Sequence, residues 1–162
     1  MKRLLLLFII PTLSYSQITS TELMSIDTTD SFIRVMIENG YEKVLSVSND
    51  TFIVYSKNFT EDSLSNSFCS YDTVNKFYRL GFNKKSLFDK LGINDNRETS
   101  YDIIVDDIKK RCKYYDIEKV KLEDNDEFEY VCYSCMESKY IGKIGFTIKD
   151  DWGWIQNFPY SW

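Results

Sequence analysis

Apolar residues recur at helical spacing in two long stretches of the chain. Phe32, Ile33, Met36 and Ile37 follow Asp27 and Asp30, which can cap a first turn, and precede Asn39-Gly40, a stop signal; together they predict a helix over 28–39. Ile104, Ile108, Cys112 and Tyr115 form a second stripe behind Thr99 and Asp102, a capping pair, so these four should share one buried helical face. The β-branched run Ile103-Ile104-Val105 also permits a strand over 101–105. A shorter helix is predicted over 83–92, with Asn83 as N-cap, Leu87, Phe88 and Leu91 as its apolar face, and Gly92 as its stop.

Period-two alternation predicts strands over 42–47, 51–57, 67–71 and 75–80, then over 117–122, 127–133, 140–149 and 153–158. The two sets echo one another. Tyr41-Glu-Lys-Val44 runs into Phe52, Ile117-Glu-Lys-Val120 runs into Phe128, and both Val44 to Val120 and Phe52 to Phe128 are 76 positions apart. The same offset carries Phe32 to Ile108 and Met36 to Cys112, which favours a helix over 101–105. The expected fold is α+β, two tandem units spanning 17–82 and 83–162, with helices packed on antiparallel sheet.

The first 16 residues stand outside this pattern. Lys2 and Arg3 precede the apolar run Leu4–Ile10, and Ser14-Tyr15-Ser16 offers a small-residue cleavage site, which reads as a secretory signal peptide cut after Ser16. Seven apolar residues fall far short of the roughly 20 that span a bilayer. The expected protein is therefore secreted or periplasmic, with no transmembrane segment after cleavage.

Charge and cysteine usage narrow the function. The net charge is −5, and losing Lys2 and Arg3 makes it −7 (18 basic against 25 acidic residues), a poor counterion for phosphate backbones, so no nucleic acid is expected as partner. The chain has no histidine, which excludes Ser-His-Asp and Cys-His hydrolysis and any histidine-bearing zinc site. In a secreted chain Cys69, Cys112, Cys132 and Cys135 read first as two disulfides, whose pairing the spacing does not decide. Weaker readings of the same residues are a four-thiolate zinc site and a redox pair at Cys132-Tyr-Ser-Cys135. Cys112, on its predicted helix face, should bridge to the strand bearing Cys132 and Cys135.

The acidic turn Glu123–Glu127 and the pairs Asp106-Asp107 and Asp150-Asp151 read as solvated charges, not as a calcium loop or a glycosidase dyad, and no cofactor or metal is expected. Aromatic residues number 26 of 162. Phe32, Phe52, Phe128 and Phe146 are expected in the core; the C-terminal Trp152, Trp154, Tyr160 and Trp162 are harder to bury and are the candidate binding residues.

Gly81-Phe82-Asn83 with Leu87, Leu91 and Gly92 resembles the helix-start motif of SmpA/OmlA-type envelope domains and of the β-lactamase inhibitor proteins, the latter built from tandem helix-plus-four-strand repeats. Asn94 stands where that family often carries proline, and no lipid-bearing cysteine follows the leader. The resemblance implies a non-catalytic scaffold that binds another protein, as an inhibitor or immunity factor, through a curved sheet. The alternatives are a carbohydrate or cell-wall module that binds a glycan through the C-terminal aromatics, and a thiol oxidoreductase.

Overall fold

Capping chemistry sets the helix starts. The computed structural model of the protein describes residues 17–57, 67–84, 99–121, 127–135 and 142–159. Among these, α1 is Ser20–Met24, α2 Thr29–Glu38 and α3 Ser100–Arg111, each opened by a threonine in a capping box: Thr19 with Glu22, Thr28 with Ser31, Thr99 with Asp102. The α2 cap therefore falls one residue past Asp27. In α3 Ile104 and Ile108 are buried as expected, but the helix stops at Arg111 and Cys112 is already extended (φ −113°, ψ 160°). Tyr115 consequently lies on a strand, 53% exposed, because the Tyr114-Tyr115 run favours extended backbone.

The strands are β1 Glu42–Lys43, β2 Phe52–Lys57, β3 Ser67–Asp72, β4 Phe77–Asn83, β5 Lys113–Lys121, β6 Glu127–Ser134, β7 Gly142–Lys149 and β8 Trp152–Pro159. β1 ends four residues short of the predicted 47 because Ser48 bends the chain: its hydroxyl donates to the Val44 carbonyl (2.7 Å) and accepts from the Val54 amide (3.0 Å). β4 starts two residues late because the Asp72 carboxylate accepts from the amides of Val74 and Asn75, closing a turn that holds Lys76 at φ +55°. Asn83, read as a helix cap, ends β4, and Lys84 is not helical; residues 85–92 of the predicted helix lie outside the described residues.

All eight strands join one antiparallel sheet in the order β1-β2-β3-β4-β8-β7-β6-β5. Two four-strand meanders thus meet at β4 and β8, through Leu80↔Ile155 and its neighbours. The fold is α+β. The 76-residue echo survives as element order, but only in part as register. It would carry Cys69↔Leu80 onto Gly145↔Gln156, which is observed, and Tyr55↔Cys69 onto Val131↔Gly145, whereas Val131 faces Phe146. Lys43↔Tyr55 would map to Lys119↔Val131, and Ile117 takes that place.

The helices cover one face. Along one row across the sheet, Tyr55, Cys69, Leu80, Ile155 and Phe146 are buried, while Val131 and Ile117 at the β5 edge are 37% and 53% exposed. Phe32 from α2 stacks on Tyr71 and meets Tyr55 edge-on (ring centroids 5.0 and 5.9 Å). Phe52, read as core, is not: it is 38% exposed because it alternates onto the opposite face, and Ile37 of the first helical stripe is 60% exposed. No helix among the described residues is long and apolar enough to cross a membrane.

On the other half of this face Tyr101 of α3 lies flat over Gly153, donates from its hydroxyl to the Thr147 carbonyl (3.0 Å), and is flanked by Lys84 (4.9 Å from the ring). A Cβ at position 153 would sit 2.5 Å from the Tyr101 ring. Gly153→Ala should therefore push α3 off the sheet and cost about 1–3 kcal/mol, read as a lower urea midpoint at unchanged slope; an unchanged midpoint would show that α3 does not rest there.

Candidate functional site

The strands alternate, so residues next to the helix-facing row point to the face that no described helix covers. Trp152, Trp154, Gln156 and Phe158 of β8 share that face with Phe68 of β3, Arg79 of β4, and Phe128, Tyr130 and Cys132 of β6. Phe128, Tyr130 and Cys132 form a second apolar cluster, with Val120, Trp154 and Phe158 packed on it. Phe128 is buried as expected, but in this cluster and not under the helices.

Glycines make room for the rings. A Cβ on Gly145 would meet Phe158, Tyr130 and the Cys132 sulfur at 2.7–2.9 Å, and one on Gly81 would meet Phe68 and Trp154 at 2.9–3.2 Å. The rings lie across these bare backbone positions and pack by their edges: Phe68 and Phe128 meet Trp154 at 77° and 86°, and Phe158 meets Tyr130 at 69°. Trp152 and Trp154 are 6.0 Å apart at 36°. Lys149 caps the Phe128 ring at 4.5 Å.

Polar groups are set into this surface. Arg79 Nε donates to Gln156 Oε1 at 2.9 Å. Lys143 donates to Glu118 and, at 3.3 Å, to Asp116; burial alone would lower its pKa, but the two carboxylates raise it. A groove of about 440 Å³ opens between Phe77, Gln156, Phe158, Lys143 and Glu118. Among the described residues, the buried side-chain atoms without a hydrogen-bond partner include Tyr130 OH, Trp154 Nε1 and Asp116 Oδ1, all of residues on this face. Burial of such groups without partners is costly, so they mark where the chain's own packing leaves polar capacity unused.

The cysteines divide between the faces. Cys112 is bonded to Cys135 (Cα–Cα 4.6 Å), tying the end of α3 to the end of β6. Cys132, three positions before Cys135 on an alternating strand, points to the opposite face, so the two cannot act as a redox pair. Cys69 and Cys132 are free and buried, one bridge standing where two were expected. They lie on strands four places apart in the sheet, about 19 Å at the usual spacing, far beyond disulfide reach. Burial pushes the Cys132 thiol up to about 11 and that of Cys69 higher.

Among the candidate binding residues, Trp152 and Trp154 are together on the face that no described helix covers, half-buried; Tyr160 and Trp162 lie outside the described residues, as does most of the acidic turn Glu123–Glu127. Asp107 is tied up by Ser20 and Arg111, joining α1 to α3. Asp150 and Asp151, both at positive φ (51° and 65°), make the two-residue β7–β8 hairpin turn. No group of side chains suited to a metal ion occurs among the described residues. Arg79, Tyr130 and Gln156 escaped the sequence reading. The alternation Trp152-Trp154-Gln156-Phe158 was the available signal, but only the β4–β8 pairing brings Arg79 beside it.

No family model, no curated protein and no solved structure matches the chain. The residues themselves must carry the functional argument, and those described form an aromatic surface with a polar inset.

Native protein should resist iodoacetamide at pH 8 at both free thiols, since the thiolate of Cys132 forms only as pH approaches about 11. After denaturation without reductant, peptide mapping should show Cys69 and Cys132 alkylated and Cys112 linked to Cys135; a Cys112–Cys132 peptide would contradict the facing of β6.

Proposed function

We propose that the protein is a non-catalytic binding protein, secreted or periplasmic, that engages another protein through the sheet face that no described helix covers. The observation that carries this reading is the half-buried aromatic surface of Phe68, Trp152, Trp154 and Phe158, which holds two unpartnered polar atoms, Trp154 Nε1 and Tyr130 OH. Rigid aromatic side chains give contact area at low entropic cost, and they dominate binding hot spots. The leader at 1–16 and the Cys112–Cys135 bridge support a site of action outside the cytoplasm.

A tandem origin fits the same picture. Shifting Phe52–Lys57, Ser67–Asp72 and Phe77–Asn83 by 76 gives 128–133, 143–148 and 153–159, inside β6, β7 and β8. The register differences of one and two residues then reflect changes in the connecting turns after duplication, so that two diverged units present one shared face.

A glycan is the second occupant such aromatics suggest. Sugar stacking favours an open flat ring, whereas Trp152 and Trp154 are tilted to each other and packed against Phe68 and Phe128. The surface offers ring edges and recesses, which suit protruding side chains better.

Immobilised protein at micromolar density, exposed to envelope and culture-fluid fractions, should retain a protein partner. Trp152→Ala should weaken retention by about 2 kcal/mol, roughly 30-fold, while Ile103→Ala, 46% exposed on α3, should leave it unchanged. Recovery of no protein, or equal recovery by Trp152→Ala, would sink the reading; quenching of tryptophan fluorescence by cell-wall glycans would move the assignment to the carbohydrate class.

A further inference from the structure

Cleavage after Ser16, at the small-residue site Ser14-Tyr15-Ser16, would leave glutamine as the first residue of the protein. The fold takes hold of the chain one residue later. Ile18 is 4% exposed and belongs to the main core with Leu23, Met24 and Ile108. Thr19 is extended (φ −97°, ψ 159°) and caps α1: its amide donates to the Glu22 carboxylate at 2.7 Å, and its carbonyl accepts from the Leu23 amide at 3.1 Å. Residues 18 and 19 are thus held by apolar burial and by hydrogen bonds, whereas Gln17 is exposed. A cut one position later would place an ammonium on Ile18, at the core, with a desolvation cost that a terminus at Gln17 avoids.

Gln17 lines an open cleft of about 370 Å³ between the start of the described chain and α3, with Ser100, Ile103 and Asp106 across it. No described residue hydrogen-bonds its carboxamide. The side chain can therefore fold back on its own backbone nitrogen without breaking a contact to a described residue. In a terminal glutamine that nitrogen, Cα, Cβ, Cγ and Cδ make up an unstrained five-membered ring.

Resting on the reading of residues 1–16 as a cleaved leader, and not on the use of the sheet face, we propose that Gln17 is a modification site, and that pyroglutamate formed from it closes the mature N-terminus. The α-amine attacks the side-chain Cδ; the N–Cδ bond forms, the Cδ–Nε2 bond breaks, and Nε2 leaves as ammonia with one proton from the amine. Nothing is oxidised or reduced, and no co-reactant enters. The lactam is neutral, so the terminal ammonium charge is lost. The anchoring of Ile18 and Thr19 preserves the residue for this reaction: an aminopeptidase draws an extended free end into its site, and here it meets one loose residue ahead of buried backbone. Once the ring is closed, no primary amine remains for such an enzyme. Core and lactam together give a protein working outside the cytoplasm an end that resists trimming.

The test uses the whole chain, leader included, secreted by a bacterial host and held for days at growth temperature. Primary amines of the intact protein are dimethylated before digestion, so that a lactam formed in the protein is told from one formed during handling, and the N-terminal peptide is sequenced by mass spectrometry. That peptide should begin at position 17, carry no label on its first residue, and be lighter than the glutamine form by one ammonia, about 17 Da. Gln17→Asn keeps an amide but could close only a strained four-membered ring; its first residue should be fully labelled. A labelled Gln17 terminus that persists overturns the proposal and leaves the leader reading intact. A first residue other than position 17, or an uncleaved leader, overturns it together with the cut after Ser16. Equal blocking of the Gln17→Asn protein also overturns it, because the block then has another origin.

Discussion

The pairing of β4 with β8 is the contact on which the rest of the structure depends. It joins two antiparallel meanders edge to edge, and because side chains alternate, its register decides the facing of every other strand. With Leu80 opposite Ile155, the row from Tyr55 to Phe146 turns towards the helices, and Arg79, Gln156 and Trp154 turn away from them. A slip of one residue at this seam would place Trp154 under α3 and turn Ile155 to the opposite face. The packing resists such a slip: Gly153 admits the Tyr101 ring at a distance no side chain would allow.

From that constraint follows a division of labour between the two faces. On the helix side Phe32, Tyr101, Ile104 and Ile108 cover the sheet, and buried hydroxyls find partners, Tyr41 with Ser67 and Tyr78 with the Leu23 carbonyl. The other side is apolar without a covering layer among the described residues, and among those residues it holds Tyr130 OH, Trp154 Nε1 and Asp116 Oδ1, buried without partners. A face that served only as the back of a core would be expected to carry alternating polar residues. This one carries aromatic rings nested in glycine recesses, a geometry that keeps them rigid and part-exposed.

Much of this was legible in the amino-acid order, and the failures have identifiable causes. The periodicities placed α2, α3 and most strands correctly, and Thr99 with Asp102 marked the α3 start. Tyr115 was assigned to the helix because the apolar stripe continues past Arg111, while extended-chain preference takes over at Cys112. Phe52 was assigned to the core because alternation gives a strand's two faces without saying which is covered. The cysteines show the same limit: Cys112 was rightly directed to the Cys132–Cys135 strand, but the odd spacing that separates those two thiols onto opposite faces gained its meaning only once the helix side was known. Arg79 and Trp154 are 75 positions apart, and only the seam makes them neighbours.

The central proposal is that the face no described helix covers, and not the helix side, meets the partner. Site-specific photocrosslinking in cells that make the protein tests it most directly, with benzoylphenylalanine at position 152 on that face or at position 103 on α3. The account predicts a discrete protein adduct from position 152 and none from position 103. An adduct from position 103 with none from position 152 would contradict it.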